Sequence, residues 1–126
     1  MPKILLAGQD AACLDILSAE LAAEGYEIQR VWDGQTAYEN VLATLPDLVF
    51  IELNLPVFNA YETCSLVRRD PLVPPGLPIF LFAESDFDPV ASRKAGFTGV
   101  FPKRHLVLEL RDLLAGHLGG TAAAGR

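Results

Sequence analysis

Short apolar runs alternate with amphipathic segments along the whole chain. The run Lys3-Ile4-Leu5-Leu6-Ala7 is typical of a buried strand, and similar runs predict strands at 26–31, 48–51, 79–82 and 99–101. Between them, apolar residues recur at helical spacing, which predicts helices at about 11–24, from after Gly34 to about 44, at about 60–69 and at about 89–95. A last amphipathic helix is predicted around Leu106, Leu110, Leu113 and Leu114.

Glycine, proline and aspartate separate these elements. Gly25 and Gly96 stand where helices are expected to end, Asp33-Gly34 predicts a turn, and Pro46 marks the end of the second helix. Five strands alternating with five helices predict an α/β fold, a doubly wound five-stranded parallel sheet. The expected strand order is 2-1-3-4-5, which is that of flavodoxin-like folds.

Length and charge limit the classes of protein that fit. A chain of 126 residues suits one domain, which we assign to residues 1–118, with 119–126 as a flexible Gly- and Ala-rich tail. The N-terminus lacks a signal-peptide pattern and no run approaches a membrane span, so a cytoplasmic protein with no membrane partner is expected. The net charge of −6 without a basic stripe argues against nucleic acid as a partner.

Polar and small residues collect at the predicted carboxyl ends of the strands. In doubly wound sheets this edge carries the functional site, near the point where strand order reverses. The residues that pattern alone brings to this edge are Gly8, Gln9, Asp10, Glu52, Ala83 and Lys103.

The stretch from Pro46 to Pro56, centred on Glu52, resembles the phosphoacceptor segment of response-regulator receiver domains. The likeness extends over about residues 3–114 and includes Asn59-Ala60-Tyr61-Glu62, Ala95-Gly96-Phe97-Thr98-Gly99 and the lysine Lys103. The resemblance implies a signalling domain in which an aspartate at position 52 accepts a phosphoryl group and Lys103 contacts it. Here that position holds Glu52, which keeps the charge but is one methylene longer.

Other positions also depart from the family's pattern. The family has an acidic pair where this chain has Gly8 and Gln9, and those carboxylates hold the divalent cation. Because Mg²⁺ prefers hard oxygen ligands, including carboxylates, we expect its binding to be lost and no cofactor to be bound. Asp10 is interpreted as a helix cap or a solvated acid.

The positions that relay the family's signal are altered as well. Ala83 stands where the family has Ser or Thr, and Val100 stands where it has an aromatic switch residue. Phe101 follows, but the period-two alternation of a strand turns it to the other face. Pro102 precedes Lys103, whereas the family has its proline after the lysine and this chain has Arg104 there.

Glu52 therefore has several interpretations. As a phosphoryl acceptor it would be misplaced, because in-line transfer tolerates little change in geometry. As a half-buried fixed charge paired with Lys103, it would be either a structural ion pair or a permanent mimic of the signalling form, and sequence leaves both open.

These arguments predict a degenerate receiver domain that is not an enzyme and serves as a phosphorylation-independent protein–protein interaction module. Its partners would be proteins of a signalling pathway, and a homodimer is left open. The resemblance implies an interaction face on the fourth helix, fifth strand and fifth helix, which here comprises Arg93, Lys94, Phe97, Val100 and Arg104. The alternatives are a working phosphotransfer receiver that accepts phosphoryl from a histidine kinase, and a small-molecule-binding flavodoxin-like module.

Overall fold

The computed structural model describes residues 2–84 and 88–103, in which strands and helices alternate. The elements are β1 Lys3–Ala7, α1 Ala11–Ala23, β2 Glu27–Val31, α2 Gly34–Thr44, β3 Leu48–Glu52, α3 Ala60–Arg69, β4 Ile79–Ala83, α4 Pro89–Ala95 and β5 Gly99–Pro102. The predicted last helix, the predicted tail and Arg104 lie outside these residues. Within them, no helix has the length and hydropathy needed to cross a lipid bilayer.

The five strands form one parallel sheet in the order β2-β1-β3-β4-β5, which confirms the predicted α/β topology. Strands β3 and β4 are buried at every position. Their sequences are continuous apolar runs because helices cover both faces of the central strands. The sheet therefore brings the carboxyl ends of β1, β3, β4 and β5 to the same edge.

Alternation along the strands divides the core into two layers. Residues such as Leu5, Val49 and Ile51 face a layer that includes Val41 of α2 and Val67 of α3. The intervening residues face the other layer, which contains three leucines of α1 and the rings of strands β3 and β4: Leu14, Leu17, Leu21, Phe50, Phe80 and Phe82. The leucine stripe seen in the sequence is thus the buried face of α1.

The predicted turn at Asp33-Gly34 is wrong in detail, because these residues begin helix α2. Asp33 is the N-cap, and its side chain accepts a hydrogen bond from the backbone N–H of Thr36 at 2.7 Å. Gly34 is the first helical residue, and a Cβ there would lie 2.1 Å from the carbonyl oxygen of Phe58. The glycine serves this close approach between α2 and the loop after β3, which the sequence pattern did not reveal.

Candidate functional site at the carboxyl edge of the sheet

Three other segments converge on Glu52, the last residue of β3. The loop after β1 carries Gly8, Gln9 and Asp10, and Lys103 directly follows β5. The topology brings these residues together because β1 and β4 flank β3, and β5 lies beside β4. Ala83 ends β4 at the same edge and is buried.

Glu52 is more deeply buried than the sequence predicted, with 6% of its surface exposed. Its Oε1 atom accepts two hydrogen bonds from backbone N–H groups, from Gln9 at 2.6 Å and from Asp10 at 3.0 Å. Its Oε2 atom is ion-paired with Nζ of Lys103, as predicted. A buried carboxylate needs hydrogen bonds and a counter-charge to offset its lost hydration, and Glu52 has both.

The glutamate side chain lies against Gly8. A Cβ at position 8 would lie 2.6 Å from Oε1 of Glu52 and 3.0 Å from its Cβ. Contacts below 3.0 Å require something to move, and Oε1 is held by its two N–H donors. The extra methylene of glutamate is therefore accommodated in space that a side chain at position 8 would otherwise occupy.

Asp10 has two roles in this site. Its Oδ1 accepts a hydrogen bond from the backbone N–H of Cys13 at 3.2 Å, which makes Asp10 the N-cap of α1, as expected. Its Oδ2 accepts a hydrogen bond from Nζ of Lys103 at 3.0 Å, a contact that the sequence analysis missed. The hydrogen bond to Lys103, followed by that from Cys13, holds the pKa of Asp10 below its ordinary value.

Lys103 links the two carboxylates. Burial lowers its pKa, but hydrogen bonds to Glu52 and then to Asp10 raise it, and the net effect is a raised pKa. The ammonium group thus stays charged between two acids. One internal cation neutralises part of the charge of both carboxylates.

The side chains of Gln9 and of the switch positions form no bond within this network. Gln9 is exposed and its side-chain amide donates a hydrogen bond to the carbonyl oxygen of Trp32 at 2.8 Å. Ala83 carries no hydrogen-bond donor. Val100 packs against the core layer of α2 and α3 and Phe101 against the layer of α1, so the predicted alternation of β5 is confirmed.

The predicted interaction face is only partly exposed. Arg93 and Lys94 are exposed on α4, and Val100 is half-buried. Phe97 is only 9% exposed, and its ring packs edge-on against that of Tyr61 with centroids 6.3 Å apart. In the described part of this face, the two cations are therefore the groups available to a partner.

The cluster is a closed ion-pair network. Both carboxylate oxygens of Glu52 already accept hydrogen bonds, two at Oε1 and one at Oε2, and these bonds lower their nucleophilicity. Among residues 2–84 and 88–103, no three His, Cys, Asp or Glu side chains are grouped to hold a metal ion. A longer acid at position 52 beside a glycine at position 8 was the sequence signal that could have predicted this packing.

Comparison with protein families supports the resemblance. The model of the response regulator receiver domain matches residues 4–115. A curated relative, the DNA-binding dual master transcriptional regulator RpaA of Synechocystis sp., is 34% identical over 70 residues, which is 56% of this chain and 29% of RpaA. The chain spans 29% of the length of RpaA and 50% of that of another curated relative, the response regulator ArlR of Staphylococcus saprophyticus.

Solved structures are similar over most of the chain. A response regulator from Chloroflexus aurantiacus has a TM-score of 0.76 and 29% identity, covering 91% of this chain and 99% of that one. The receiver domain of the sensor histidine kinase PA1611 from Pseudomonas aeruginosa, whose active site cleft coordinates magnesium, has a TM-score of 0.82 and 22% identity. The match covers 94% of this chain and 98% of the PA1611 domain, and at this identity it supports the fold alone.

Proposed function

The chain belongs to the response-regulator receiver domain family, and on that premise we propose that it is an interaction module of two-component signalling that works without phosphorylation. The observation that carries this proposal is the occupancy of Glu52. Its Oε1 accepts from the N–H groups of Gln9 and Asp10, and its Oε2 is paired with Lys103. The position that accepts phosphoryl in the family is held in a closed network before any donor arrives.

The residues present do not fit a divalent cation. Gly8 has no side chain, and a side chain there would meet Oε1 of Glu52. The side chain of Gln9 bonds to the carbonyl of Trp32, and both acids that remain share the ammonium of Lys103. A Mg²⁺ ion would therefore have to displace an internal cation to reach two carboxylates, which is unfavourable because Mg²⁺ also dehydrates reluctantly.

The features that relay a phosphorylation signal are also missing. Ala83 has no hydroxyl to bond a phosphoryl group, and Val100 offers no aromatic ring to rotate. The charge of Glu52 is permanent and paired, so it needs neither a hydroxyl at position 83 nor an aromatic ring at position 100 to transmit a phosphorylation signal. We infer that this domain is not an enzyme and that its partners recognise the shape and charge of its surface, including Arg93 and Lys94 on α4.

The partners of the whole protein depend on what this domain is joined to. RpaA is a DNA-binding regulator and the chain spans 29% of it, so the exclusion of nucleic acid drawn from the charge balance does not extend to a longer protein. For the residues in hand we propose protein partners within a cytoplasmic signalling pathway.

Phosphoryl labelling tests the proposal directly. The chain is incubated with acetyl phosphate and Mg²⁺, and intact mass is measured. We expect no gain of a phosphoryl group, because the acceptor is engaged and the charge neutraliser for the transfer is absent. Labelling of the wild-type chain at Glu52 or Asp10 would instead establish the phosphotransfer alternative.

A restored variant provides the control. The combination Glu52→Asp, Gly8→Asp and Gln9→Asp shortens the acid at position 52, frees the space beside position 8 and returns the acidic pair. We expect this variant to fold and to gain some labelling with Mg²⁺. Gly8→Asp alone should gain none, because the new side chain would collide with the carboxylate of Glu52.

A further inference from the structure

A groove of about 580 Å³ opens between helices α3 and α4. Its apolar floor is formed by Phe58, Tyr61 and Leu66 on one side and by Ala91 and Ala95 on the other. None of these residues belongs to the Glu52 network, so the groove is a separate feature of the fold. Its volume falls within the range of about 300–1,000 Å³ that is common for binding sites in proteins.

A hydrogen bond and a ring contact join the two walls of the groove. The hydroxyl of Tyr61 accepts a hydrogen bond from the backbone N–H of Asp88 at 2.9 Å, and its ring packs edge-on against Phe97. This contact ties the N-terminus of α4 to α3. The two alanines of α4 lie one helical turn apart and contribute only methyl groups, so they leave room above them. The groove is thus open because the alanines of α4 are small and because Tyr61 contacts Asp88 and Phe97.

Strain next to the groove supports a role in binding. Val57 precedes Phe58, has a φ of 70° and is 65% exposed. A β-branched residue in the left-handed region is a genuine outlier, a strained conformation that the surrounding structure must hold in place. The segment is held there by the hydrogen bond from the N–H of Gly34 to the carbonyl of Pro56 at 3.1 Å. The fold thus maintains an exposed apolar side chain on the residue that precedes Phe58 of the groove lining.

The rim of the groove is positively charged. Arg69 of α3 and Lys94 of α4 line it, both are exposed, and within the described residues neither forms an ion pair. The one carboxylate in the lining, that of Glu62, already accepts a hydrogen bond from the N–H of Asn59 in the capping box of α3. The lining therefore carries two cations and one carboxylate, and this excess of positive charge on a chain with a net charge of −6 favours an acidic partner.

The shape of the groove favours a peptide over a compact ligand. On α3 its lining runs along one helical stripe from Tyr61 to Arg69, which is about 12 Å of helix axis. On α4 it follows Ala91, Lys94 and Ala95. A short amphipathic helix lays apolar side chains into such a groove at the same spacing.

We propose that this groove binds an acidic amphipathic segment of a partner protein. Apolar side chains of the segment would cover Phe58, Leu66 and the two alanines, and its carboxylates would pair with Arg69 and Lys94. This assignment rests on the proposed function, because it names the surface and the partner chemistry of an interaction module.

A titration with two designed peptides tests the groove. Both carry the same amphipathic apolar pattern, one with Glu and the other with Lys at its polar positions, and each is added to the full ¹⁵N-labelled chain. We expect the acidic peptide to shift backbone amide signals in 58–69 and 91–95, and the basic peptide to bind at least about tenfold more weakly. Equal binding of both peptides, no binding, or shifts elsewhere would overturn the proposal.

A matched pair of variants localises the contact. Arg69→Glu and Arg93→Glu make the same charge change, and each residue lies in the last turn of its helix, so both carry the same cost at a helix terminus. Only Arg69 lines the groove. We expect Arg69→Glu to weaken the affinity for the acidic peptide about tenfold and Arg93→Glu to change that affinity less than about twofold.

The outcomes separate this inference from the proposed function. If Arg93→Glu weakens binding of the acidic peptide and Arg69→Glu does not, the peptide binds the predicted interaction face through Arg93. This outcome would overturn the proposed groove site but not the proposed function as an interaction module. If acetyl phosphate labels the wild-type chain, the proposed function is overturned whatever the peptides do.

Discussion

The carboxylate of Glu52 lies where a side chain at position 8 would begin, so the glycine and the longer acid depend on one another. In this chain the two departures from the family pattern are physically a single change. The added methylene is accommodated only because the neighbouring strand end carries no Cβ. Restoring one position without the other would therefore damage the site rather than repair it.

A double-mutant cycle should measure this dependence. Gly8→Ala is expected to destabilise the wild type by about 1–3 kcal/mol, because the new methyl overlaps Oε1 of Glu52. In a Glu52→Asp background the shorter side chain leaves room, and the cost should fall by at least about 1 kcal/mol. The free energy of unfolding in urea provides the measurement.

Gly76→Ala is the control for the general effect of replacing glycine. No atom lies within 4 Å of a Cβ built at Gly76, so this change should be close to neutral. Equal costs of Gly8→Ala in the two backgrounds would contradict the dependence of position 8 on position 52.

The ion pair of Glu52 and Lys103 leads to an asymmetric prediction. Lys103→Ala removes the cation from two acids, one of them buried, and should destabilise by about 3–5 kcal/mol. Glu52→Gln keeps an oxygen for the N–H groups of Gln9 and Asp10 and leaves Lys103 its contact with Asp10, so it should cost less. Urea unfolding decides which variant loses more stability. Lys103→Met, which keeps the length of the side chain but not its charge, is measured beside both.

The same variants distinguish the two interpretations of the charge once a partner has been captured. If Glu52→Gln unfolds at nearly the wild-type urea concentration but no longer binds, the charge mimics a signalling state. If binding survives, the ion pair is structural and the interaction surface acts independently of it. A larger stability loss for Glu52→Gln than for Lys103→Ala would contradict the burial argument.

At the scale of elements, helix α1 is coupled to the site through its N-cap. Asp10 caps the helix with one carboxylate oxygen and contacts Lys103 with the other. Its pKa is lowered in the folded protein, first by Lys103 and then by the N–H of Cys13. The carboxyl of Asp10 therefore binds a proton more tightly in the unfolded chain than in the folded protein, so protonation of Asp10 favours unfolding.

The pH dependence of stability should reveal this coupling. The contribution of Asp10 is complete above its ordinary pKa of 3.8 and is lost as the pH falls through the lower pKa of the folded state. Asp10→Asn keeps a capping oxygen but loses the ion pair, so its deficit in unfolding free energy should be full near about pH 6 and shrink towards about pH 3. Asp33→Asn, at a cap without a lysine contact, is the control and should lose less. A deficit for Asp10→Asn that does not change with pH would contradict the coupling.

Strands and helices followed from the sequence because period and composition encode them locally. The bounds of β1, α3 and α4 were predicted correctly, and Gly96, with a φ of 101°, ends α4 as expected. The turn at Asp33-Gly34 was wrong because the same two residues suit a helix N-terminus. The N-cap hydrogen bond from Thr36 to Asp33 and the approach of Phe58 to Gly34 identify the helix start, and both are visible only in the structure.

At the scale of the whole molecule, the sequence could predict which residues meet but not how they share the space. Topology alone placed Glu52, Asp10 and Lys103 at one edge of the sheet, and the structure brings them together. The depth of Glu52 depends on its contacts with the loop after β1 and with Lys103, and the burial of Phe97 depends on its contact with Tyr61. Periodicity encodes neither set of contacts. The groove between α3 and α4 was invisible for the same reason, since it is a space between elements.

The position of Lys103 also bears on the order in which the chain folds. Its ammonium contacts residues 51 and 93 positions away in sequence. Lys103 directly follows β5, which pairs only with β4 among the described strands. Contacts of such long range form late, because the intervening chain must first be ordered. Local opening of β5 would leave a buried carboxylate without its counter-charge at the end of the central strand. The network therefore links β5 to the loop after β1, and we expect the two to open together.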